Sequence, residues 1–184
     1  MEECRGKIAL IGSGELTASM VEVHKDLLAG VKSSAGGYFL DTPAGFQPNS
    51  NDISTKALAY FRENIQHPLK VASYPFPGCV SEYDLALLCR KIEAAAYLLV
   101  GPGSPTYMVK VLNENPILNA MVHLVKSGGS LAIASAAALT AGSYTLPVYE
   151  IYKVGSELYW DEGLPILGEL GLNLVVIPHW NNAE

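Results

Sequence analysis

The chain has 184 residues, of which 49% are hydrophobic and 16% charged, and its formal net charge is −6. That length suits one domain with a continuous hydrophobic core. No apolar run reaches the roughly 18 residues that a membrane span requires, so a membrane is not expected as a partner. The 12 lysines and arginines are scattered along the chain, so nucleic acid is not expected either.

Strand-like and helix-like stretches alternate through the first three quarters of the chain. The predicted strands are 7–12, 36–42, 70–76, 95–101 and 130–135, and the predicted helices are about 16–28, 52–65, 81–94, 105–113 and 117–126. The fourth strand, AAYLLVG, is apolar on both faces, which is typical of a strand covered by helices on both sides. This order predicts a three-layer α/β domain with a mostly parallel central sheet and helices on both faces.

The pattern changes after Gly142. Residues 144–160 alternate apolar and polar side chains and predict an antiparallel hairpin or an added sheet edge. Residues 170–180 predict one more buried strand, and the chain stops four residues later. We therefore expect residues 1–184 to form a single domain that lacks its natural carboxyl-terminal end.

Ser135 has the sharpest local context in the sequence. It joins the fifth predicted strand to the Ala-rich segment 136–142, and ligands of open α/β sheets bind at such carboxyl ends of strands. On a tight strand-to-helix turn its hydroxyl would be exposed, and the N–H of Ala136 would point toward a developing oxyanion. Two interpretations stay open: a nucleophile, or a serine that caps the following helix.

Three further features could complete a catalytic site around Ser135. The loop VGPGSPTY after the fourth strand has Gly103 placed to bring a backbone N–H close to a ligand, although a plain β-to-α turn would look the same. His179, in IPHWNN, follows the last predicted strand, and an imidazole is the usual general base for a serine. The candidates for an orienting acid are Glu150, in a strand-like apolar stretch, and the pair Asp161 and Glu162, which resemble a solvated turn; Glu150 is preferred.

These segments, in this order, resemble the cyanophycinase and aspartyl-dipeptidase (dipeptidase E) group of serine peptidases, within the class I glutamine-amidotransferase-like superfamily. The resemblance implies that superfamily's flavodoxin-like sheet, with Ser135 as nucleophile, Ala136 and Gly103 as oxyanion donors and His179 as base. It implies hydrolysis of a peptide or amide bond in a small substrate without a metal or an organic cofactor.

The sequence also departs from this group. The group's nucleophile turn reads G-x-S-A-G-A, whereas this chain has Ile133 and Ala137 at the glycine positions. No cysteine lies near the turn, so glutamine hydrolysis through a thioester is disfavoured, and Arg5, Arg62 and Arg90 are too far from the motifs to carry over aspartate specificity. A non-catalytic relative that binds or regulates is therefore the alternative. Nucleotide binding at Gly12-Ser13-Gly14 is disfavoured because the full G-x-G-x-x-G pattern is absent.

Two geometric expectations separate the alternatives. A working nucleophile predicts that Ser135 has a strained backbone with φ above zero and lies within hydrogen-bonding reach of His179. A helix cap predicts a relaxed backbone and a hydroxyl bonded to the next helix.

The remaining features concern location and assembly. The amino terminus lacks the basic head and cleavage site of a signal peptide, which predicts a cytoplasmic protein. Cys4, Cys79 and Cys89 contain no C-x-x-C pair, which predicts neither a disulfide framework nor a zinc site. A homodimer is compatible with the sequence, which does not fix the oligomeric state.

Overall fold

The computed structural model of the protein describes residues 6–31 and 35–179. Cys4 and Arg5 at one end, and Trp180, Asn181 and Asn182 at the other, lie outside the described residues. The predictions made on those five residues are therefore not taken further.

A five-stranded, fully parallel sheet forms the centre of the molecule, as the sequence predicts. Its strands are β1 (Lys7–Ile11), β2 (Gly37–Leu40), β3 (Leu69–Ala72), β4 (Tyr97–Val100) and β5 (Ser130–Ala134), in the order β1-β5-β4-β2-β3. In register, Ile11 lies beside Ala134 at the end of β5, and Leu40 lies beside Val100 at the end of β4. Because all strands run the same way, the loops that follow them meet at one edge of the sheet.

Helices follow the strands and cover the sheet. They are α1 (Val21–Leu28), α2 (Ser50–Tyr60), α3 (Glu82–Glu93), α4 (Pro105–Leu112), α5 (Pro116–Lys126) and α6 (Ala136–Thr140), with 3₁₀ turns at Ala18–Met20 and Thr42–Ala44 and a π-helical turn at Phe61–Ile65. The side chains of Ser81, Ser104 and Asn115 accept hydrogen bonds from the first turns of α3, α4 and α5. Within the described ranges, no helix combines the length and apolar character needed to cross a membrane.

The core lies on both faces of the sheet. In β4, Leu98 and Val100 pack against the side covered by α3, α4 and α5, whereas Tyr97 and Leu99 pack against the side covered by α1 and α2. All four residues are fully buried. This arrangement confirms the interpretation of the fourth apolar run as a strand covered by helices on both sides.

The hairpin predicted after Gly142 is largely wrong. Only its ends pair, as two antiparallel strands of two residues each, β6 (Tyr144–Thr145) and β7 (Asp161–Glu162). Between them a π-helical turn occupies Glu150–Val154, so Glu150 is not in a strand. Pro147 has no N–H to donate to a ladder, and its carbonyl instead accepts from Ile151, which starts the turn. Asp161 and Glu162 belong to β7 rather than to a turn, although both are exposed.

The strand predicted over 170–180 is also wrong within the described residues. After the short helix α7 (Ile166–Glu169), residues 172–179 are irregular, and Leu174, Val175 and Ile177 are exposed. An apolar run becomes a strand only when its backbone pairs with a neighbour, and these residues join no ladder. The segment packs locally instead: the space beside Gly142 is filled by the carbonyl of Leu174.

Candidate active site

Ser135 lies at a sharp turn between β5 and α6. Its backbone has φ 55° and ψ −119°, a conformation that is strained for any residue other than glycine. Its hydroxyl makes no cap hydrogen bond to α6. The expectation of a strained backbone is met, and the cap interpretation is not supported.

Two backbone hydrogen bonds hold this turn in place. The N–H of Ser135 donates to the carbonyl of Ile11 at the end of β1 (2.9 Å), and the carbonyl of Ser135 accepts from the N–H of Leu139 (3.2 Å). The side chain of Ile133 is fully buried in the core cluster that also contains Ala137. Ile133 therefore points away from the turn, and the chain forms the elbow with residues larger than the group's glycines.

His179 reaches Ser135 from the far end of the chain. Its Nε2 lies 3.1 Å from Ser135 Oγ. His179 itself has a positive φ of 65°, and its backbone nitrogen packs against Gly12, where a Cβ would lie 3.2 Å away. The buried Nδ1 has no hydrogen-bond partner among the described residues. The loop after β1 and the loop after β5 together place the two side chains side by side.

A cavity opens beside this pair. Its volume is about 490 Å³, within the range of small-molecule sites, and its lining includes Gly103, Ser135, Ala136 and His179. Four residues that the sequence analysis grouped from three distant segments thus border one space. The first N–H groups of a helix have no partner within it, so the N–H of Ala136, the first residue of α6, is free to face a ligand.

The Gly103 loop is fixed by the loop after β2. The carbonyl of Pro43 occupies the space beside the Gly103 Cα that a side chain would need, and it also accepts the N–H of Ser104 at 2.9 Å. Thr42 is buried and donates its hydroxyl to the carbonyl of Tyr74 (2.8 Å), which ties this loop in turn to the loop after β3. The N–H of Gly103 donates no hydrogen bond within the described residues.

Asp41 also holds the loops after β2 and β3 together, next to the Gly103 loop. Its carboxylate accepts hydrogen bonds from the Ser73 hydroxyl (2.7 Å) and the Tyr74 N–H (2.8 Å). Burial raises the pKa of Asp41, and these two bonds oppose the shift. Asp41 joins the ends of β2 and β3 rather than the cavity.

Glu150 does not contact His179, contrary to the role expected for it. Its Oε1 accepts the hydroxyl of Thr106 at 2.8 Å, and its Oε2 is buried without a partner among the described residues. Its neighbours Tyr149 and Ile151 line the cavity, but Glu150 does not. The π-helical turn directs the carboxylate away from the cavity, toward the start of α4. Asp161 and Glu162, the weaker candidates, are not among the residues that line the cavity either.

Sequence reasoning missed several residues around the site. The hydroxyl groups of Thr106 and Ser104 share a hydrogen bond (2.9 Å) next to Gly103, which connects Glu150 to the Gly103 loop. The only signal for this connection is that Ser104 and Thr106 belong to the GPGSPTY motif. Lys153, which lines the cavity, and Pro43, which supports Gly103, have no motif that marks them. Within residues 6–31 and 35–179, no three His, Cys, Asp or Glu side chains converge in the way a metal ion requires.

Comparison with solved structures shows which fold this is. A peptidase from an acI-B1 Actinobacterium matches with a TM-score of 0.75 and 22% identity over 96% of this chain and 69% of the other. The "Putative Peptidase E Protein" of Listeria monocytogenes EGD-e matches with a TM-score of 0.67 and 13% identity over 97% of this chain and 81% of the other. The chain therefore has the α/β fold of these Peptidase E-like structures, with a mostly parallel central sheet.

Comparisons at the level of sequence add nothing to this. No protein-family model matches the chain, and no curated protein matches it.

Proposed function

We propose that the protein is a serine hydrolase that cleaves a peptide or amide bond in a small substrate. The observation that carries the proposal is the strained Ser135, whose Oγ lies 3.1 Å from His179 Nε2 at the wall of a cavity. Strain of this kind persists only where the surrounding structure enforces it, and it clusters at active sites. Two solved structures of the same fold carry peptidase names, which agrees with the proposal.

Another Ser–His pair in the described part of the chain shows why the contact alone is not sufficient. Ser127 Oγ lies 3.2 Å from His123 Nδ1 on the exposed end of α5. Ser127 has an ordinary backbone, with φ −90°, and lies outside the cavity. Of these two pairs, both among the described residues, the one at Ser135 combines the contact with a strained turn and with adjacent backbone N–H groups.

The proposed reaction follows the usual order of acyl transfer. Ser135 Oγ attacks the substrate carbonyl carbon while His179 Nε2 takes the hydroxyl proton, and the N–H groups of Gly103 and Ala136 hold the oxyanion. The C–N bond then breaks, and His179 returns the proton to the leaving amine. Water attacks the resulting ester in the same manner, His179 takes the water's proton, and the proton returns to Ser135 as the acid product leaves.

Covalent labelling tests the proposal directly. A fluorophosphonate probe should label the wild-type protein at Ser135, and Ser135→Ala should remove the label. Ser127→Ala is the matched control, because it removes the hydroxyl of the other Ser–His pair and should leave labelling unchanged. A wild-type protein that stays unlabelled while folded would favour the alternative, a non-catalytic relative that binds or regulates.

A further inference from the structure

The walls of the cavity beside Ser135 are largely apolar. Its lining includes six branched aliphatic side chains, from Leu139, Leu146, Val148, Ile151, Leu158 and Ile177, together with the rings of Tyr149 and Tyr152. Most of these walls come from the segment between β6 and β7, in which the sequence predicted only Glu150 as a site residue. This composition is typical of a pocket that recognises an apolar group.

The distribution of charge around the cavity also favours an apolar group. Among the described residues that line it, Lys153 is the only one with a permanent charge. Lys153 is exposed, and its Nζ lies 6.0 Å from the centre of the Tyr149 ring, so its charge is in contact with solvent rather than buried in the cavity. A carboxylate placed against those walls would lose its hydration without a buried partner, which is unfavourable.

We infer that the residue supplying the scissile carbonyl has a large aliphatic or aromatic side chain, and that aspartate is rejected. This side chain is borne on the carbon next to the carbonyl that Ser135 attacks, so it is the substituent that the walls around Ser135 must accommodate. The N–H of Leu139 bonds to the carbonyl of Ser135, which fixes one of these walls relative to the nucleophile. The inference rests on the proposed function for its chemistry, and on the cavity lining for its specificity.

The reactivity of matched inhibitors measures this preference. Three aminophosphonate diphenyl esters that differ only in carrying the side chain of leucine, phenylalanine or aspartate are compared by their labelling rates. In each case Ser135 Oγ attacks phosphorus, a P–O bond to one phenoxy group breaks, and phenol leaves the phosphonylated serine. The leucine and phenylalanine probes should react faster than the aspartate probe by on the order of 100-fold. Burial of their apolar side chains favours binding, whereas the carboxylate of the aspartate probe loses hydration in the same place. Equal rates, or a faster aspartate probe whose advantage disappears in Lys153→Met, would overturn the inference.

A pair of variants tests whether the walls themselves cause the preference. Val148→Arg adds a cation to the lining and should raise the relative rate of the aspartate probe at least about tenfold. Val154→Arg is the matched control, because Val154 belongs to the same turn but is 77% exposed and does not line the cavity. It should leave the ratio unchanged. If both variants shift the ratio equally, the walls do not determine the selectivity.

Binding separates this inference from the proposed function. If neither a fluorophosphonate nor any aminophosphonate labels Ser135, the hydrolase proposal fails, and the affinities of acetyl-Leu-Gly and acetyl-Asp-Gly are then compared by calorimetry on the Ser135→Ala protein. Tighter binding of the leucine peptide, which Val148→Arg reverses, would support an apolar recognition site without catalysis. Equal binding of the two peptides would overturn the apolar site as well.

Discussion

The carbonyl group of Pro43 fills the space beside the Gly103 Cα, so that the loop after β2 sets the position of the loop after β4. The same carbonyl accepts the N–H of Ser104, which caps α4. Gly103 is therefore required by a close approach of two backbones, and the direction of its own N–H depends on that approach.

Gly103→Ala should consequently damage both stability and the site. A methyl group at this position would overlap backbone atoms that cannot rotate away, and overpacking of this kind costs about 1–3 kcal/mol. We expect a lower free energy of unfolding in urea and a strongly reduced rate of fluorophosphonate labelling. Gly36→Ala is a suitable control, since among the described residues its added methyl would meet only the Tyr38 ring, at 3.8 Å. An unaltered labelling rate in a folded Gly103→Ala protein would show that this loop does not contribute to the oxyanion site.

The strain at Ser135 predicts opposite consequences for two substitutions that both remove the hydroxyl. Glycine adopts φ 55° and ψ −119° without the steric cost that alanine has there. Ser135→Gly should therefore be more stable than Ser135→Ala by about 1–3 kcal/mol, while neither variant is labelled. Denaturation midpoints in urea compare the two. Equal midpoints would mean that the turn relaxes in solution and that the strain is not enforced.

The sheet could be predicted from the sequence because its signals are local. Leu98 and Val100 alternate with Tyr97 and Leu99, and an apolar strand of this kind needs a helix on each face whatever its neighbours are. The segment containing Leu174 and Ile177 has the same apolar character, but whether it becomes a strand depends on a pairing partner, which its own residues do not encode.

The site was predictable only in part, for a related reason. Gly103, Ser135 and Ala136 follow strands, and the shared edge of a parallel sheet brings such residues together. His179 follows an irregular segment instead, and it reaches the same edge where its backbone packs against Gly12 in the loop after β1. The direction of Glu150 depends on the π-helical turn, which places Tyr149 and Ile151 toward the cavity and the carboxylate toward Thr106. Composition and spacing do not reveal such a turn, so the contact of Glu150 with Thr106 could not be predicted from the sequence.

Buried His24 predicts a pH dependence of stability. Its Nδ1 bonds to the hydroxyl of Tyr97 (2.8 Å) and its Nε2 to the carbonyl of Glu15 (2.7 Å). Burial lowers the pKa of His24, although the bond to the Glu15 carbonyl and the Glu15 carboxylate both act to raise it. The unfolded chain therefore takes up a proton at His24 more readily than the folded chain does.

The stability that comes from keeping His24 neutral is fully present above 6.5, the pKa of histidine in the unfolded chain, and is lost as the pH falls below that value. The free energy of unfolding, measured from about pH 7.5 to about pH 5.5, should decrease, and His24→Gln should reduce that slope whatever its stability at neutral pH. Part of the slope should remain, because burial also lowers the pKa of His67. His123→Gln, at an exposed position, serves as the control. A slope that His24→Gln leaves unaltered would refute this account.

The hydrogen bonds that join Glu150, Thr106 and Ser104 give the last prediction. Thr106 donates to Glu150 Oε1, so its hydroxyl oxygen is left to accept from Ser104, whose oxygen in turn accepts the N–H of Tyr107 in α4. Thr106→Val keeps the shape of the side chain but leaves the Glu150 carboxylate without its partner. Removing one member of a buried hydrogen bond costs about 1–3 kcal/mol, so we expect a cost near the low end for this partly buried bond. The substitution also frees the Ser104 hydroxyl, next to Gly103.

Thr106→Val should therefore lower both the free energy of unfolding and the labelling rate of Ser135, whereas Glu150→Gln, which retains an oxygen acceptor for Thr106, should change both only slightly. The opposite pattern is expected if Glu150 has the role that the sequence suggested, which is to orient His179. If Glu150 oriented His179 during the reaction, Glu150→Gln would greatly reduce labelling while Thr106→Val would not. Measuring the two variants side by side, with urea denaturation and fluorophosphonate labelling on the same samples, decides whether this carboxylate supports the Gly103 loop or serves the histidine.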